Sequence, residues 1–191
     1  MPSPTYPIET QRLLVRPFAD RDLKELTALY AMPEVLRYLY VGPRPDAEIA
    51  RSLEERHSRT ALDAAGDKLI LTVEEKATGR HVGDVILVWL SAEHRSAEAG
   101  FIIHPACQGR GFAGEAIRPL LRFGFETMGF HRIIGRCDAR NAASARVMAK
   151  LGMRREAHLI ENEFIKGEWT DELVFAMLDR EWAAAATQDQ R

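Results

Sequence analysis

The sequence predicts an α+β domain, in which a mixed, mostly antiparallel sheet of seven strands carries helices on both faces. Apolar strand-like runs and helical patterns follow the order β-α-α-β-β-β-α-β-α-β-β, which does not alternate as an all-parallel sheet would. Neither an internal repeat nor a linker interrupts the 191 residues. This length suits one domain over residues 1–191, with its core at about 10–180. A glycine-rich segment separates the fourth strand from the third helix.

The chain begins with a proline-rich stretch, residues 1–10, which we expect to be loose. Residues 12–18 are predicted to form the first strand. Asp20 then stands where a side chain would cap the first helix. The apolar face of that helix would consist of Leu23, Leu26 and Leu29. The three prolines of residues 32–46 predict a loop before the second helix.

The second helix is predicted from Asp46 to Ala65. Residues 68–75 and 81–90 are apolar runs joined by a short turn, so they predict a hairpin. The remaining elements are a strand at 98–103, a helix at 115–128, a strand at 132–138, a helix from the cap Asn141 to Leu151, and a last hairpin of strands 153–165 and 169–178. The tail from Ala183 is expected to fray.

The segment between the fourth strand and the third helix has the chemistry of an anion site. It contains Gly109, Gly111 and Gly114 within six residues, and a glycine lets a phosphate approach the backbone without meeting a Cβ. The first amides of the following helix lack internal partners and favour negative charge. Arg110 adds a cation. We therefore predict a phosphate or pyrophosphate site, whose spacing matches neither a Walker A loop nor a dinucleotide fingerprint.

Residues 108–113, Gln-Gly-Arg-Gly-Phe-Ala, fit the signature Gln/Arg-x-x-Gly-x-Gly/Ala. This segment resembles the loop with which GNAT acyltransferases grip the pyrophosphate of acetyl-CoA. Further segments resemble the RimJ/RimL-like subfamily of that family, in the same order along the chain: 33–39, 141–144, 150–153 and 167–171. The resemblance runs from about Arg12 to about Leu178.

The resemblance implies the GNAT fold, in which the fourth and fifth strands run parallel and splay apart to form the cofactor slot. It also implies acetyl-CoA as co-substrate. The implied cofactor-binding residues are Phe101, Ile102, Ile103, Gln108, Gly109, Arg110, Gly111, Phe112, Ala113, Gly114, Asn141 and Ser144. At 101–103 the backbone would act, because a free strand edge can pair with the pantetheine amides. One of its N–H groups could stabilise the charge on the thioester oxygen.

Two polar residues open the helix that follows the fifth strand. Ser144 lies three positions after Asn141, so both face one side of the helix start. The resemblance implies that Ser144 protonates the departing thiolate and that Asn141 holds the pantetheine arm. The alternative is a helix cap, in which both side chains serve only helix N–H groups.

Two glutamates are candidates for the base. Glu163 matches by position a glutamate that serves as general base in the resembled enzymes, and Glu98 lies on the strand that enters the splay. Glu161 would share a strand face with Glu163 by the period of two. A lysine-type amine with a pKa of about 10.4 costs roughly 4 kcal/mol to deprotonate at neutral pH, whereas an α-amine near 7.7 costs about 0.5 to 1. This difference favours an α-amine or a small amine of low pKa.

The composition narrows the class of partner. A net charge of −2 gives no electrostatic attraction to nucleic acid or to an anionic membrane. No long apolar run or signal-peptide pattern is present, so we expect a cytoplasmic protein. Cys107 and Cys137 are expected to remain thiols. The histidines form no metal-binding motif, and no metal is expected.

The sequence therefore predicts an N-acetyltransferase that moves the acetyl group of acetyl-CoA to a primary amine in a ternary complex. The acceptor would be a protein N-terminal α-amine or a small-molecule amine. Three alternatives stay open: another donor such as succinyl-CoA, an aminoglycoside acceptor, and a non-catalytic CoA-binding module. A homodimer is compatible with the sequence.

Overall fold

The computed structural model describes residues 2–188. Its strands are β1 Ile8–Glu9, β2 Leu13–Arg16, β3 Lys68–Glu75, β4 His81–Ser91, β5 Ser96–Ile103, β6 Arg132–Asp138, β7 Arg154–Ile165 and β8 Glu168–Leu178. Its α-helices are α1 Leu23–Tyr30, α2 Pro33–Leu36, α3 Asp46–Ser58, α4 Phe112–Arg122, α5 Ala142–Lys150 and α6 Asp179–Gln188.

The strands form one mixed sheet in the order β1-β2-β3-β4-β5-β6-β8-β7. Only β5 and β6 are parallel, and every other neighbouring pair is antiparallel. The predicted fold class, a mostly antiparallel mixed sheet with helices on both faces, is confirmed. The sheet has an eighth strand, β1, because residues 8–9 of the stretch expected to be loose pair with Leu14 and Val15.

The two faces of the sheet carry separate apolar clusters. Leu69, Leu71 and Val73 of β3 belong to the larger cluster, which includes α4 and α5. Ile70 lies between them in sequence and contacts the smaller cluster, which is built from α1, α2 and α3. The alternation along one strand therefore places helices on both sides, as the period of two requires.

The parallel strands diverge after a short paired stretch. β5 and β6 pair only at Ser96–Arg132, Ala97–Ile133 and Glu98–Ile134. Met148 of α5 packs into the divergence against Gly135, where a Cβ would lie 2.8 Å from the Met148 sulfur. The backbone of residues 99–103 therefore has no β6 partner, and the predicted splay lies where it was expected.

The start of the first helix differs from the prediction. Asp20 is not the cap of the first helix, because α1 begins at Leu23 with Asp22 at the N-cap position, and Asp20 begins the short 3-10 turn before it. Instead the buried carboxylate of Asp22 accepts the Ala19 N–H at 2.8 Å and binds Arg16 at 2.8 Å. Asn141 caps α5 as predicted, accepting the Ser144 N–H at 3.0 Å.

The helix ends also differ. The second predicted helix was too long, since α3 ends at Ser58. The third begins earlier than predicted, at Phe112, and continues as a π-helical turn over Phe123–Thr127. Pro119 precedes that turn and has no N–H to donate, which disturbs the regular α ladder. The predicted fraying from Ala183 is wrong for residues 183–188, which belong to α6; residues 189–191 lie outside the described part.

Candidate active site

A cavity of about 1420 Å³ runs between α4 and α5 and reaches the splay. Four groups of residues line it: residues 9–11, the end of β5 with the glycine-rich loop, the facing sides of α4 and α5, and most of residues 33–39. The predicted residues that line it are Phe101, Ile102, Ile103, Gln108, Gly109, Gly111, Phe112, Ala113, Gly114, Asn141 and Ser144.

The glycine-rich loop presents its amides to this cavity. Gly109 and Gly111 have φ of 74° and 81°, a left-handed conformation that favours glycine. Among the bonds of the described chain, none is donated by the amides of residues 109–114. Three of these amides begin α4, an eleven-residue helix whose dipole adds positive character. The loop thus offers a row of free N–H donors.

Two arginine side chains contact the ring of Phe112, the first residue of α4, and hold the loop in place. The guanidinium groups of Arg12 and Arg110 lie 4.6 and 4.4 Å from the centre of the Phe112 ring. Arg12 also donates to the Arg110 carbonyl at 3.0 Å and forms an ion pair with Glu115. Burial opposes ionisation of Glu115, but hydrogen bonds from Thr10 and Arg12 hold the pKa of this carboxyl below its usual value.

Arg110 differs from its predicted position. Its side chain is not among the lining residues of the cavity, because the guanidinium binds the Glu75 carboxylate and stacks on Phe112. Gln108 lines the cavity, but its side-chain amide is used to donate to the Ile103 carbonyl at 3.1 Å. Both side chains therefore fix the shape of the loop.

The sequence reasoning missed a set of cations on the outer part of the cavity. Arg118 and Arg122 lie on α4, and Arg146 and Lys150 lie on α5. Each pair is spaced i, i+4, which places both members on one face of the helix. This spacing could have been recognised in the sequence. The packing of α4 beside α5, which brings the two pairs to one cavity, could not.

Ser144 and Asn141 line the cavity at the start of α5. Asn141 uses its side-chain oxygen for the cap, which leaves its amide N–H₂ group for another acceptor. The Ser144 hydroxyl has no hydrogen-bond partner within the described chain. The cap alternative therefore accounts for the oxygen of Asn141 but not for the Ser144 hydroxyl.

Beside residues 33–39 lies a polar group that we term the Tyr40 cluster: Tyr40, Glu98, Arg136, Asn162 and Glu172. The Glu172 carboxylate accepts from the Tyr40 hydroxyl at 2.5 Å, from Arg136 at 3.3 Å and from Asn162 at 3.2 Å. Arg136 also donates to Glu98 at 3.1 Å. Glu172 is only 2% exposed, and a buried carboxylate needs such partners.

The sequence reasoning did not select Glu172. In the sequence, Glu172 stands out as an acidic residue directly before the apolar run Leu173–Leu178 of β8. The pKa of the Tyr40 hydroxyl is raised, first by burial, then by the hydrogen bond to Glu172, and further by the negative charges of Glu172 and Glu163. Glu163 pairs with Thr170, two positions before Glu172 on β8, so both side chains lie on one face of the hairpin, and the Tyr40 hydroxyl contacts this face through Glu172.

Glu98 and Glu163 stand outside the lining of the cavity. Glu98 is engaged by Arg136, whereas the half-buried Glu163 carboxylate has no hydrogen-bond or ion-pair partner within residues 2–188. The predicted strand face shared with Glu161 is wrong. The pairing of β7 with β8 shifts between Leu159 and Glu163, and Glu161 has a φ of 49°, so the period of two is interrupted there.

Metal sites, reactive thiols and membrane-spanning helices are three further features to consider in the described residues. Within residues 2–188, no group of three His, Cys, Asp or Glu side chains is placed to bind a metal ion. Cys107 and Cys137 are both buried free thiols. Every helix between residues 2 and 188 is too short or too polar to span a lipid bilayer.

Comparisons with known proteins agree with this geometry. The family described as acetyltransferase (GNAT) domain matches residues 12–154. The uncharacterized N-acetyltransferase YnaD of Bacillus subtilis is 31% identical over 92% of this chain and 98% of its own. The spermidine N(1)-acetyltransferase of Vibrio cholerae is 28% identical over 84% of this chain and 89% of its own.

A solved structure is similar to this chain as well. The spermidine N-acetyltransferase from Vibrio cholerae in complex with CoA and spermine superposes with a TM-score of 0.77 at 26% identity, covering 91% of this chain and 99% of that one. The likeness thus extends over nearly the whole of both chains.

Proposed function

The chain belongs to the GNAT family of acetyltransferases, and from this premise we propose that it acetylates a primary amine of a small cationic molecule, of the alkyl polyamine class. It is an acetyl-CoA-dependent N-acetyltransferase, and the proposal concerns its acceptor and the residues that act. The observation that carries the acceptor class is the Glu163 carboxylate, which has no hydrogen-bond or ion-pair partner within residues 2–188 and lies on the hairpin that carries Glu172, while Glu98 and Glu172 share the single guanidinium of Arg136.

The free amides of residues 109–114 fit the pyrophosphate of acetyl-CoA. They combine a left-handed glycine backbone with a helix start, which is a suitable cradle for phosphate. The cations Arg118, Arg122, Arg146 and Lys150 would meet the remaining phosphate of the donor. The unpaired edge of residues 99–103 would bind the pantetheine amides as an added strand would. Acetyl-CoA supplies the activated acetyl group when bound.

The first prediction concerns the loop. We expect Gly111→Val to weaken acetyl-CoA binding by about tenfold or more, because a β-branched residue strongly disfavours the φ of 81° at Gly111 and would move the amides away from their common target. Calorimetry of acetyl-CoA binding measures the loss.

A control exists three positions further along the chain. Gly114 lies inside α4 with no positive φ, and its added Cβ meets nothing within 4 Å. Gly114→Ala should therefore preserve the loop and the thermal stability. Equal acetyl-CoA affinity for Gly111→Val and wild type, with the fold intact, would remove the loop from the donor site.

The acceptor would enter from the side of residues 33–39 and meet the thioester in the splay. Carboxylates close to this entrance attract a cation and can accept its proton. The names of two relatives support the same class: one is a spermidine N(1)-acetyltransferase, and one was solved with CoA and spermine. An alkyl polyamine differs from the acceptor that the sequence analysis favoured, which was an α-amine or a small amine of low pKa. Alkyl amines have high pKa values, so they need a base more than an α-amine does.

We assign the chemical roles as follows. Ser144 donates its proton to the departing thiolate, and Asn141 orients the pantetheine arm with its amide N–H₂ group. A main-chain N–H at 101–103 stabilises the negative charge on the carbonyl oxygen during attack. Glu163, or else Glu98, accepts the amine proton directly or through water. The RimJ/RimL-like character of the chain rests on the resemblance of its motifs and remains a prediction.

The second prediction tests the acceptor class. With acetyl-CoA as donor, we expect spermidine to give a kcat/KM at least about tenfold above that of a peptide with a free α-amine, because the polyamine carries additional positive charges that the unpaired Glu163 carboxylate attracts. Release of free thiol measures turnover, with an aminoglycoside as a further acceptor and succinyl-CoA as the alternative donor. A peptide that is acetylated better than spermidine would instead favour a protein N-terminus.

A further inference from the structure

The turn of the last hairpin is fastened to the acceptor side of the cavity. The Lys166 ammonium donates to the main-chain carbonyls of Leu36 and Leu39, at 2.8 Å for Leu39. Leu36 ends α2, and its carbonyl also accepts the Leu39 N–H at 3.0 Å, so the ammonium group is a second donor to this carbonyl. The contact joins residues that are about 130 positions apart in the sequence.

The backbone of the turn makes this lysine unusual. Lys166 and Gly167 form a two-residue hairpin loop, with φ of 52° and 87°. Such a turn favours Asn-Gly, because a residue with a long side chain is strained at positive φ. A lysine at this position therefore needs a compensating contact, and the two carbonyls supply one.

A second contact fastens the same segment. Tyr40 follows Leu39 directly and donates to the buried Glu172 of β8 at 2.5 Å. Val35 and Leu36 are buried against the smaller apolar cluster. Residues 33–40, which we term the acceptor wall, are thus held by apolar packing from one side and by two polar contacts, one from the turn between β7 and β8 and one from β8.

We propose that Lys166 is a positioning residue, which fixes the acceptor wall at the distance from β5 that the acceptor requires. The proposal rests on the proposed function in one respect: the acceptor must enter along residues 33–39. Donor binding uses the loop, α4, α5 and the edge of residues 99–103, whereas the ammonium of Lys166 bonds to Leu36 and Leu39, so the two substrates should respond differently to its removal.

Lys166→Met keeps the apolar stem and removes the ammonium group. We expect KM for the acceptor to rise about tenfold, which is about 1.4 kcal/mol, close to the lower end for a hydrogen bond to a charged group. We expect kcat and the Kd of acetyl-CoA to change less than about twofold. Lys68→Met is the matched control, because Lys68 is an exposed lysine at the far start of β3.

A rescue separates positioning from a general loss of stability. Lys166→Cys should behave like Lys166→Met, and treatment with 2-bromoethylamine should return acceptor KM to near the wild-type value by restoring an ammonium at the same reach. The chain suits this test because its own thiols, Cys107 and Cys137, are 0% and 7% exposed. Amide hydrogen exchange at residues 35–39 should accelerate in both substituted proteins and slow again after alkylation.

The exchange measurement keeps the inference independent of the acceptor's identity. If no amine is turned over by the wild type, the proposed function fails, while faster exchange at 35–39 in Lys166→Met still supports a fastened wall. Unchanged exchange there, or acceptor and donor constants that worsen equally, would overturn the positioning role of Lys166.

Discussion

Ser144→Ala is expected to lower kcat by about 10²-fold or more, the lower part of the range for general acid–base catalysis, with acetyl-CoA affinity nearly unchanged. The reason is that the hydroxyl lines the cavity without a partner in the described chain and would act mainly on the departing thiolate. The Ser144 main-chain N–H still reaches the Asn141 cap in the variant, so the helix start should be preserved. Single-turnover rates together with calorimetry of acetyl-CoA binding measure the two quantities separately.

Asn141→Asp provides the comparison for this variant. Aspartate is as good an N-cap as asparagine, so thermal stability should hold, but the amide N–H₂ donor is lost. We expect that variant to weaken acetyl-CoA binding more than Ser144→Ala does. If Ser144→Ala weakened donor binding and left the turnover of bound donor unchanged, Ser144 would be a binding contact and would have no role as the acid.

The parts that could be predicted from sequence are those whose causes are local. Three glycines close in sequence fix the backbone of the loop, and Asn141 fixes the start of α5, because caps and left-handed turns depend on neighbouring residues. The order of elements along the chain also followed from the sequence pattern, apart from the short elements β1 and α2 and the last helix α6. Helix ends were less predictable, since the C-terminal limit of α3 at Ser58 has no glycine or proline to mark it.

The acceptor side could not be predicted, because its contacts join distant parts of the chain. The Tyr40–Glu172 hydrogen bond spans 132 positions, and Arg136 joins Glu98 to Glu172 from three different strands. Single residues of these types are usually solvated at the surface. Only the sheet order β5-β6-β8 brings them together, and the bulge of β7 decides where Glu163 lies.

The identity of the base therefore depends on contacts between distant parts of the chain. We expect Glu163→Gln to lose about 10²–10⁴-fold in kcat, because the amide keeps the shape of the side chain and cannot accept a proton. Glu163 is preferred over Glu98, since Glu98 already accepts from Arg136 while the Glu163 carboxylate has no such partner within residues 2–188. Rates from pH 6 to 10, measured with saturating acetyl-CoA, test this preference.

The sign of the pH effect follows from the acceptor. Below the pKa of an alkyl amine, about 10, the neutral fraction rises about tenfold for each pH unit. A variant without its base depends on that fraction, so Glu163→Gln should recover much of its loss as pH rises, and Glu98→Gln should show a smaller loss and little recovery. The reverse pattern would assign the base to Glu98. Near-normal turnover of the double variant at neutral pH would mean that solvent takes the proton, and would favour an acceptor of low pKa over an alkyl polyamine.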